Sequence, residues 1–95
     1  MRNKDRTNYY YDIVLGSMLK DIRIKKGYSL QDIAKKLKTT KQAIFRYENA
    51  DIIMKKSTFL KYCRALDEEP LELYKKSSVK YMEYIVENKD KLLNS

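Results

Sequence analysis

The stretch SLQDIAKKLKTTKQAIFRYEN, residues 29–49, decides the fold of this chain. Its apolar residues recur at spacings of three and four, the period of helices with one buried face. Ser29, and Thr39 or Thr40, are favourable N-caps for two such helices. The pattern predicts helices over residues 30–37 and 41–49, joined by a three-residue turn. The side chains expected to face inward are Ile33, Ala34, Leu37, Ala43, Ile44 and Tyr47.

Helical periodicity continues on both sides of this pair. Aliphatic residues at the same spacings predict a first helix over residues 12–26, which Gly27 would end as a C′ glycine. Downstream, Ser57 is a candidate N-cap for a helix over residues 58–66. The apolar stripe of that helix includes Cys63, so we interpret Cys63 as a core residue rather than a reactive thiol.

The C-terminal part predicts two further helical pieces. Pro70 suits the first position of a short fifth helix over residues 71–75. Ser77 or Ser78 then opens a last segment with an apolar stripe, which either the chain's own core or a second copy must cover. The stripe consists of Val79, Met82, Ile85 and Val86, with an extension to Leu92 and Leu93.

These elements predict an all-α protein of one domain. We divide it into a basic N-terminal arm (1–11), a compact five-helix domain (12–76) and an additional C-terminal helical extension (77–95). The cations of the arm are Arg2, Lys4 and Arg6. They could follow DNA phosphates, or the arm could be a tail whose tyrosines pack back onto the domain.

The charge is strongly positive and unevenly distributed. Lys and Arg number 21 against 13 Asp and Glu, for a net charge of +8, and residues 12–50 carry nine positive and four negative side chains. A concentrated basic field is typical of a protein with a polyanionic partner. A lysine-rich surface that serves only solubility has the same signature, so charge alone does not decide.

Composition also argues against several classes of protein. With no His and a single Cys, the chain lacks the residues for a zinc site or an internal disulfide. It has no glycine-rich phosphate loop, and no stretch approaches the roughly 18 apolar residues of a membrane helix. Residues 1–11 lack the apolar region of a signal peptide. We expect a reduced cytoplasmic protein that is not an enzyme, is not bound to a membrane, and has no metal or cofactor.

Residues 23–49 resemble the helix-turn-helix of the Cro/phage-repressor type, also called the XRE family. The matching runs are RIKKGYS (23–29), IAKKL (33–37), TTKQAI (39–44) and YEN (47–49). The resemblance extends over about residues 12–76, and the combination is far more specific than any one run. It implies a lambda-repressor-like domain that binds double-stranded DNA, usually as a homodimer, with the second short helix in the major groove.

The resemblance also implies roles for individual residues. Arg23 and Glu48 would form an ion pair between the first and third helices. The side chains that would contact bases are Lys41, Gln42, Phe45 and Arg46. Those that would contact phosphates are Gln31, Lys38, Thr39, Thr40, Lys55 and Lys56.

Three departures from the family pattern are visible. Lys38 occupies the turn position that is often Gly, where a left-handed conformation would cost about 1 kcal/mol. Ala50 stands where Gly is expected, and Asn49 could take the left-handed cap role instead. Leu30 replaces a polar residue that often holds a phosphate, and Gln31 could substitute for it.

The sequence therefore predicts a sequence-specific transcriptional regulator, a repressor that acts by occupying its operator. An alternative is a DNA-binding accessory or antitoxin-like protein of a mobile element, in which residues 78–93 bind another protein. A helical interaction module without DNA binding, and an RNA-binding protein, are further alternatives.

Overall fold

The computed structural model describes residues 6–89, which form five α-helices and, within that range, no strand. The helices are α1 (Arg6–Lys25), α2 (Leu30–Leu37), α3 (Lys41–Glu48), α4 (Lys56–Ala65) and α5 (Pro70–Glu87). The predicted all-α class is confirmed, and α2 and α3 lie where the sequence pattern placed them. In this part of the chain, no helix is both long and apolar enough to cross a membrane.

Hydrogen bonds at the helix starts fix the α2–α3 pair. The Asp32 amide donates to Ser29 Oγ at 3.0 Å, and the Ser29 amide donates to Asp32 Oδ2 at 2.8 Å, which completes a capping box. Thr40 caps α3, since its Oγ1 accepts from the Ala43 amide at 3.1 Å. Local hydrogen bonds therefore fix the residue at which each of the two helices begins.

Helix α1 begins at Arg6, not at residue 12 as predicted. Residues 6–11, assigned to the arm, are thus the first turns of a helix that aromatic packing holds in place. Tyr10 packs on Tyr84 and Tyr11 on Tyr81 of α5, with 5.4 Å between ring centroids in both pairs. Aliphatic periodicity missed these turns because tyrosines supply their buried contacts.

The predicted short fifth helix and the described first part of the C-terminal extension, up to Glu87, form one continuous helix, α5. Ser77 does not open a new segment, because it is fully buried inside α5. Its hydroxyl donates to the Tyr74 carbonyl oxygen at 2.8 Å and shares a 2.9 Å hydrogen bond with the Tyr11 hydroxyl. A small polar side chain satisfied in this way lets α1 approach α5 closely. Leu92 and Leu93 lie outside the described residues.

The start of α4 also differs from the prediction. The helix begins at Lys56, so Ser57 lies within its first turn, and the N-cap residue Lys55 makes no side-chain cap hydrogen bond. Cys63 lies in the core, as its place on the apolar stripe predicted. The core joins all five helices through its fully buried large side chains, Leu19, Ile33, Ile44, Tyr62, Leu66 and Leu73.

Candidate nucleic-acid interface

Helix α3 presents one polar face to solvent and one apolar face to the core. Ile44 is fully buried, and Ala43 and Tyr47 are partly buried. Phe45 is 51% exposed, so about half of its surface faces solvent. The four exposed side chains are Lys41, Gln42, Phe45 and Arg46, the set predicted to contact bases.

The chemistry of this exposed face suits base edges. Arg and Lys side chains donate to guanine O6 and N7, and a Gln amide can pair bidentately with adenine. An exposed phenyl ring can touch a thymine methyl group. One helix fits a major groove about 12 Å wide, so side chains near the N-terminal end of α3 are suitably placed to read bases.

The turn before α3 keeps a left-handed residue even though it lacks glycine. Lys38 has φ = 57° and ψ = 46°, and the Thr39 amide donates to the Ala34 carbonyl oxygen at 2.9 Å. Lys38 and Thr39 are exposed beside Thr40. Because the Thr40 Oγ1 accepts its capping bond, its O–H remains a donor suited to a phosphate.

The remaining residues predicted to contact phosphates lie on two other helices. Gln31 is exposed in the first turn of α2, whereas its neighbour Leu30 packs against the core. Lys55 and Lys56 are exposed at the start of α4. Lys56 also borders an apolar cleft with Phe59 and other side chains of α1, α4 and α5.

Helix α3 crosses α1 at very close range, and Gly16 makes that possible. A Cβ at residue 16 would lie 2.5 Å from the Glu48 carbonyl oxygen and 2.7 Å from that of Tyr47. Both are backbone atoms of α3, which cannot swing aside. The close packing of α3 against α1 therefore depends on the absence of a Cβ at Gly16.

A buried ionic cluster fastens the C-terminal end of α3 to the core. Arg23 donates to Glu48 twice, Nε to Oε2 at 2.7 Å and Nη2 to Oε1 at 3.1 Å. The Arg23 Nη1 donates to the Tyr28 carbonyl oxygen at 2.9 Å, and the Tyr62 hydroxyl donates to Glu48 Oε2. This bidentate geometry joins α1, α3 and α4 in one orientation.

The electrostatics of this cluster keep the Tyr62 phenol and the Arg23 guanidinium in the protonated states that their hydrogen bonds require. Burial, followed by the bond to Glu48, raises the pKa of Tyr62 far above its usual value, so the phenol remains a donor. The hydrogen bond to Glu48 raises the pKa of Arg23 despite partial burial. A permanently charged guanidinium thus faces the Glu48 carboxyl group.

Besides Arg23, two basic side chains of the 12–50 region serve the fold. Lys26 Nζ donates to the Leu66 carbonyl oxygen and forms a 2.7 Å ion pair with Glu68. Lys36 Nζ donates to the Ala65 carbonyl oxygen at 3.0 Å. Both lysines satisfy carbonyl groups at the C-terminal end of α4. The basic field therefore comes mainly from the other cations, including Lys38, Lys41 and Arg46.

The end of α3 differs from the expectation for Asn49. Asn49 has φ = −100°, and Ala50 takes the left-handed position with φ = 59°. The Asn49 side-chain amide donates to the Phe45 carbonyl oxygen at 2.8 Å, which caps the helix by another route. Ala50 is buried, and its methyl group is a small side chain for a position that usually favours Gly.

Comparison with known proteins identifies the unit that carries this geometry. A helix-turn-helix family model matches residues 19–73, more than half of the chain. The chain belongs to this helix-turn-helix family. It is of the Cro/phage-repressor (XRE) type that the motifs of residues 23–49 resemble, a family of DNA-binding transcriptional regulators.

A solved structure is similar to the helix-turn-helix domain in fold. The crystal structure of the clp gene regulator ClgR from C. glutamicum aligns with a TM-score of 0.67 at 18% identity, over 72% of this chain and 88% of that chain. No curated protein matches the chain in sequence.

Sequence reasoning missed several residues that support the helix-turn-helix unit. Tyr62 lies beside Cys63 on the apolar stripe of α4, and its hydroxyl completes the Arg23–Glu48 cluster. A tyrosine on an apolar stripe gives no sequence signal for such a bond. The helix-capping roles of Lys26 and Lys36 were also unforeseen, since a lysine that bonds a distant carbonyl looks like any other surface lysine.

Proposed function

We propose that this helix-turn-helix protein is a sequence-specific regulator that binds double-stranded DNA as a homodimer and represses transcription by occupying its operator. The main support is the polar outer face of α3, held from behind by the buried Arg23–Glu48–Tyr62 cluster. Rigid support matters because base contacts need side chains in fixed positions.

In this proposal, two kinds of contact have separate tasks. Lys41, Gln42, Phe45 and Arg46 read base edges, which gives specificity. Contacts to phosphates give affinity that depends on salt rather than sequence, and they come from Gln31, Lys38, Thr39, Thr40, Lys55 and Lys56. The protein acts in the cytoplasm by binding alone, without a cofactor.

The buried thiol supports a non-catalytic role. Cys63 is fully buried, and desolvation raises its pKa to about 11. A thiol in that environment stays protonated near neutral pH and is a poor nucleophile.

Selection of bound duplexes from a random DNA pool tests the assignment of α3. At about 150 mM salt, where a basic surface is screened, the wild type should enrich one motif. The Lys41→Ala/Gln42→Ala/Arg46→Ala variant should lose it. A matched control, Lys61→Ala/Arg64→Ala, removes the same charge from exposed positions on α4 and should keep the motif. Equal enrichment by the wild type and the α3 variant would contradict the proposal.

A reporter assay tests repression separately. A promoter that overlaps the selected motif should lose activity when the wild type is expressed and keep it with the α3 variant. Activation of the same promoter would refute repression while leaving DNA binding intact.

A further inference from the structure

Helix α5 has an outer apolar face that no other part of residues 6–89 covers. Val79 and Met82 are each 59% exposed and Val86 is 71% exposed, although they stand at the spacings of a helix–helix seam. They line one shallow apolar groove with Ser78. The rest of the predicted stripe is buried further, since Ile85 is partly covered. We call Val79, Met82 and Val86 the α5 seam.

Over residues 76–87 the charged side chains follow one edge of the α5 seam, and Lys75 lies on the line of the seam itself. By helical spacing, Lys76 and Glu83 flank one edge, and Lys80 and Glu87 lie just behind them. The other edge holds Leu71, Ser78 and Ile85. Along the charged edge the sign changes from basic to acidic near the middle of α5. Glu72 is an exception in the basic half, where it forms a 4.0 Å ion pair with Lys75.

This arrangement favours a second copy of the chain in one orientation. In an antiparallel helix pair, like edges face each other, so the charged edges meet with Lys76 near Glu83 and Glu87 of the second copy. In a parallel pair, unlike edges meet, and the charged edge of each copy would lie on the apolar edge of the other. The charged side chains then face apolar ones, so they lose water without gaining a partner of opposite charge.

We propose that two copies of this protein pair through the α5 seam in antiparallel orientation, crossing near residue 81. Val79 then packs on Met82 of the second copy, and Val86 packs on the aliphatic stem of its Lys75. The inference deepens the proposed function and rests on it for its purpose, because it supplies the homodimer that reads two half-sites.

The DNA-contacting face stays free in this dimer. Helix α5 packs on α1 and α4, whereas α3 packs on α1 and α2. Gly16 and Arg23 of α1 contact α3, and Tyr11, on a different face of α1, contacts α5. Pairing through α5 therefore leaves the exposed side chains of α3 uncovered.

Sedimentation equilibrium of the full chain without DNA tests the pairing. The seam is small, so we expect a reversible dimer with a Kd on the order of 10–100 µM, measured at concentrations that bracket it. Met82→Glu should weaken the dimer about tenfold or more. The control Ile24→Glu places the same charge at an exposed position of α1 and should leave the dimer unchanged.

Charge reversal tests the orientation. Glu83→Lys/Glu87→Lys places like charges together only in the antiparallel pair, so the dimer should weaken. The fourfold variant Lys76→Glu/Lys80→Glu/Glu83→Lys/Glu87→Lys restores opposite charges and should bring the Kd to within about threefold of wild type.

The outcomes separate this inference from the proposed function. A wild type that stays monomeric throughout, or a dimer that Met82→Glu leaves intact, would overturn pairing through the α5 seam. If Glu83→Lys/Glu87→Lys left the dimer Kd unchanged, the antiparallel orientation would be wrong. None of these results concerns α3, because they are obtained without DNA, whereas the duplex selection above tests α3 whatever the oligomeric state.

Discussion

The outer faces of α3 and α5 are both exposed but differ in chemistry and support. The α3 face is polar and basic around one aromatic ring, and a buried ion pair fixes it from behind. The α5 seam is apolar with a charged edge, and tyrosine rings and one buried serine hold its helix on α1. The contrast is the basis for proposing different partners: a hydrated polyanion for α3 and an apolar helix for α5.

Removing the buried Arg23–Glu48 ion pair behind α3 should have the largest effect on stability. Glu48→Ala leaves the Arg23 guanidinium buried without its carboxylate, and we expect a loss of about 3–5 kcal/mol in the free energy of unfolding. Tyr62→Phe removes only one donor to Glu48 and should cost about 1 kcal/mol. Urea denaturation measures both. Unchanged unfolding of the Glu48→Ala variant would show that the cluster does not anchor α3.

Disrupting the crossing of α1 and α3 at Gly16 should have the second-largest effect on stability. Gly16→Ala drives a methyl group into two backbone carbonyl groups of α3, so α3 must shift, and we expect a loss of about 1–3 kcal/mol. DNA affinity should fall with it, because the side chains proposed to contact bases move.

Gly27→Ala serves as the control for this crossing. A Cβ at Gly27 meets nothing within 4 Å, so this variant carries only the cost of its positive φ, about 1 kcal/mol. Equal DNA affinity of the two variants after correction for stability would contradict the seating of α3 on Gly16.

The core beneath both faces should respond to alkaline pH. The pKa of Cys63 in the folded state is about 11, above the unfolded value of about 8.5. A raised pKa of this neutral acid means that its contribution to stability is complete below the unfolded value and declines as pH rises toward 11. We expect a loss of roughly 2 kcal/mol by pH 10.

Thermal unfolding between pH 7 and 10 measures this loss, and thiol labelling gives an independent check. Native Cys63 should react only when the domain opens, so Glu48→Ala should speed its labelling. Rapid labelling of the wild type at pH 8 would show that the thiol is not buried.

The smallest effect concerns the turn before α3, where stability and DNA binding should move in opposite directions. Lys38→Gly relieves a left-handed residue and should add about 0.5–1 kcal/mol of stability. It also removes a cation proposed to contact a phosphate, so the salt slope of DNA binding should fall by about 1. Ala50→Gly, at φ = 59°, is the control that relieves strain without changing charge. Loss of stability in Lys38→Gly would contradict the turn geometry.

The two regions also differed in how well the sequence predicted them. Helices α2 and α3 were correct in position because local signals specify them: the Ser29–Asp32 capping box and the Thr40 cap act within a few residues. The exposed side chains of α3 followed from the same helical period. Their contacts with DNA stay predictions.

The α1–α5 region was predicted less well because distant contacts decide it. In sequence, Ser77 resembles the N-cap of a new helix. In the structure its hydroxyl instead forms a hydrogen bond with the Tyr11 hydroxyl, 66 residues away in sequence. The first turns of α1 depend on rings from α5 in the same way. Whether the apolar stripe after Ser77 was covered could not be predicted, since that depends on which side of α5 meets α1.

One measurement tests most directly that the two faces have separate partners. Duplex selection at about 150 mM salt should be run with the wild type and with Met82→Glu. The wild type should enrich a palindrome of two half-sites, because a two-fold dimer reads a two-fold site. Met82→Glu should enrich a single half-site with the same bases. A palindrome that persists in Met82→Glu, or a half-site with different bases, would contradict the account.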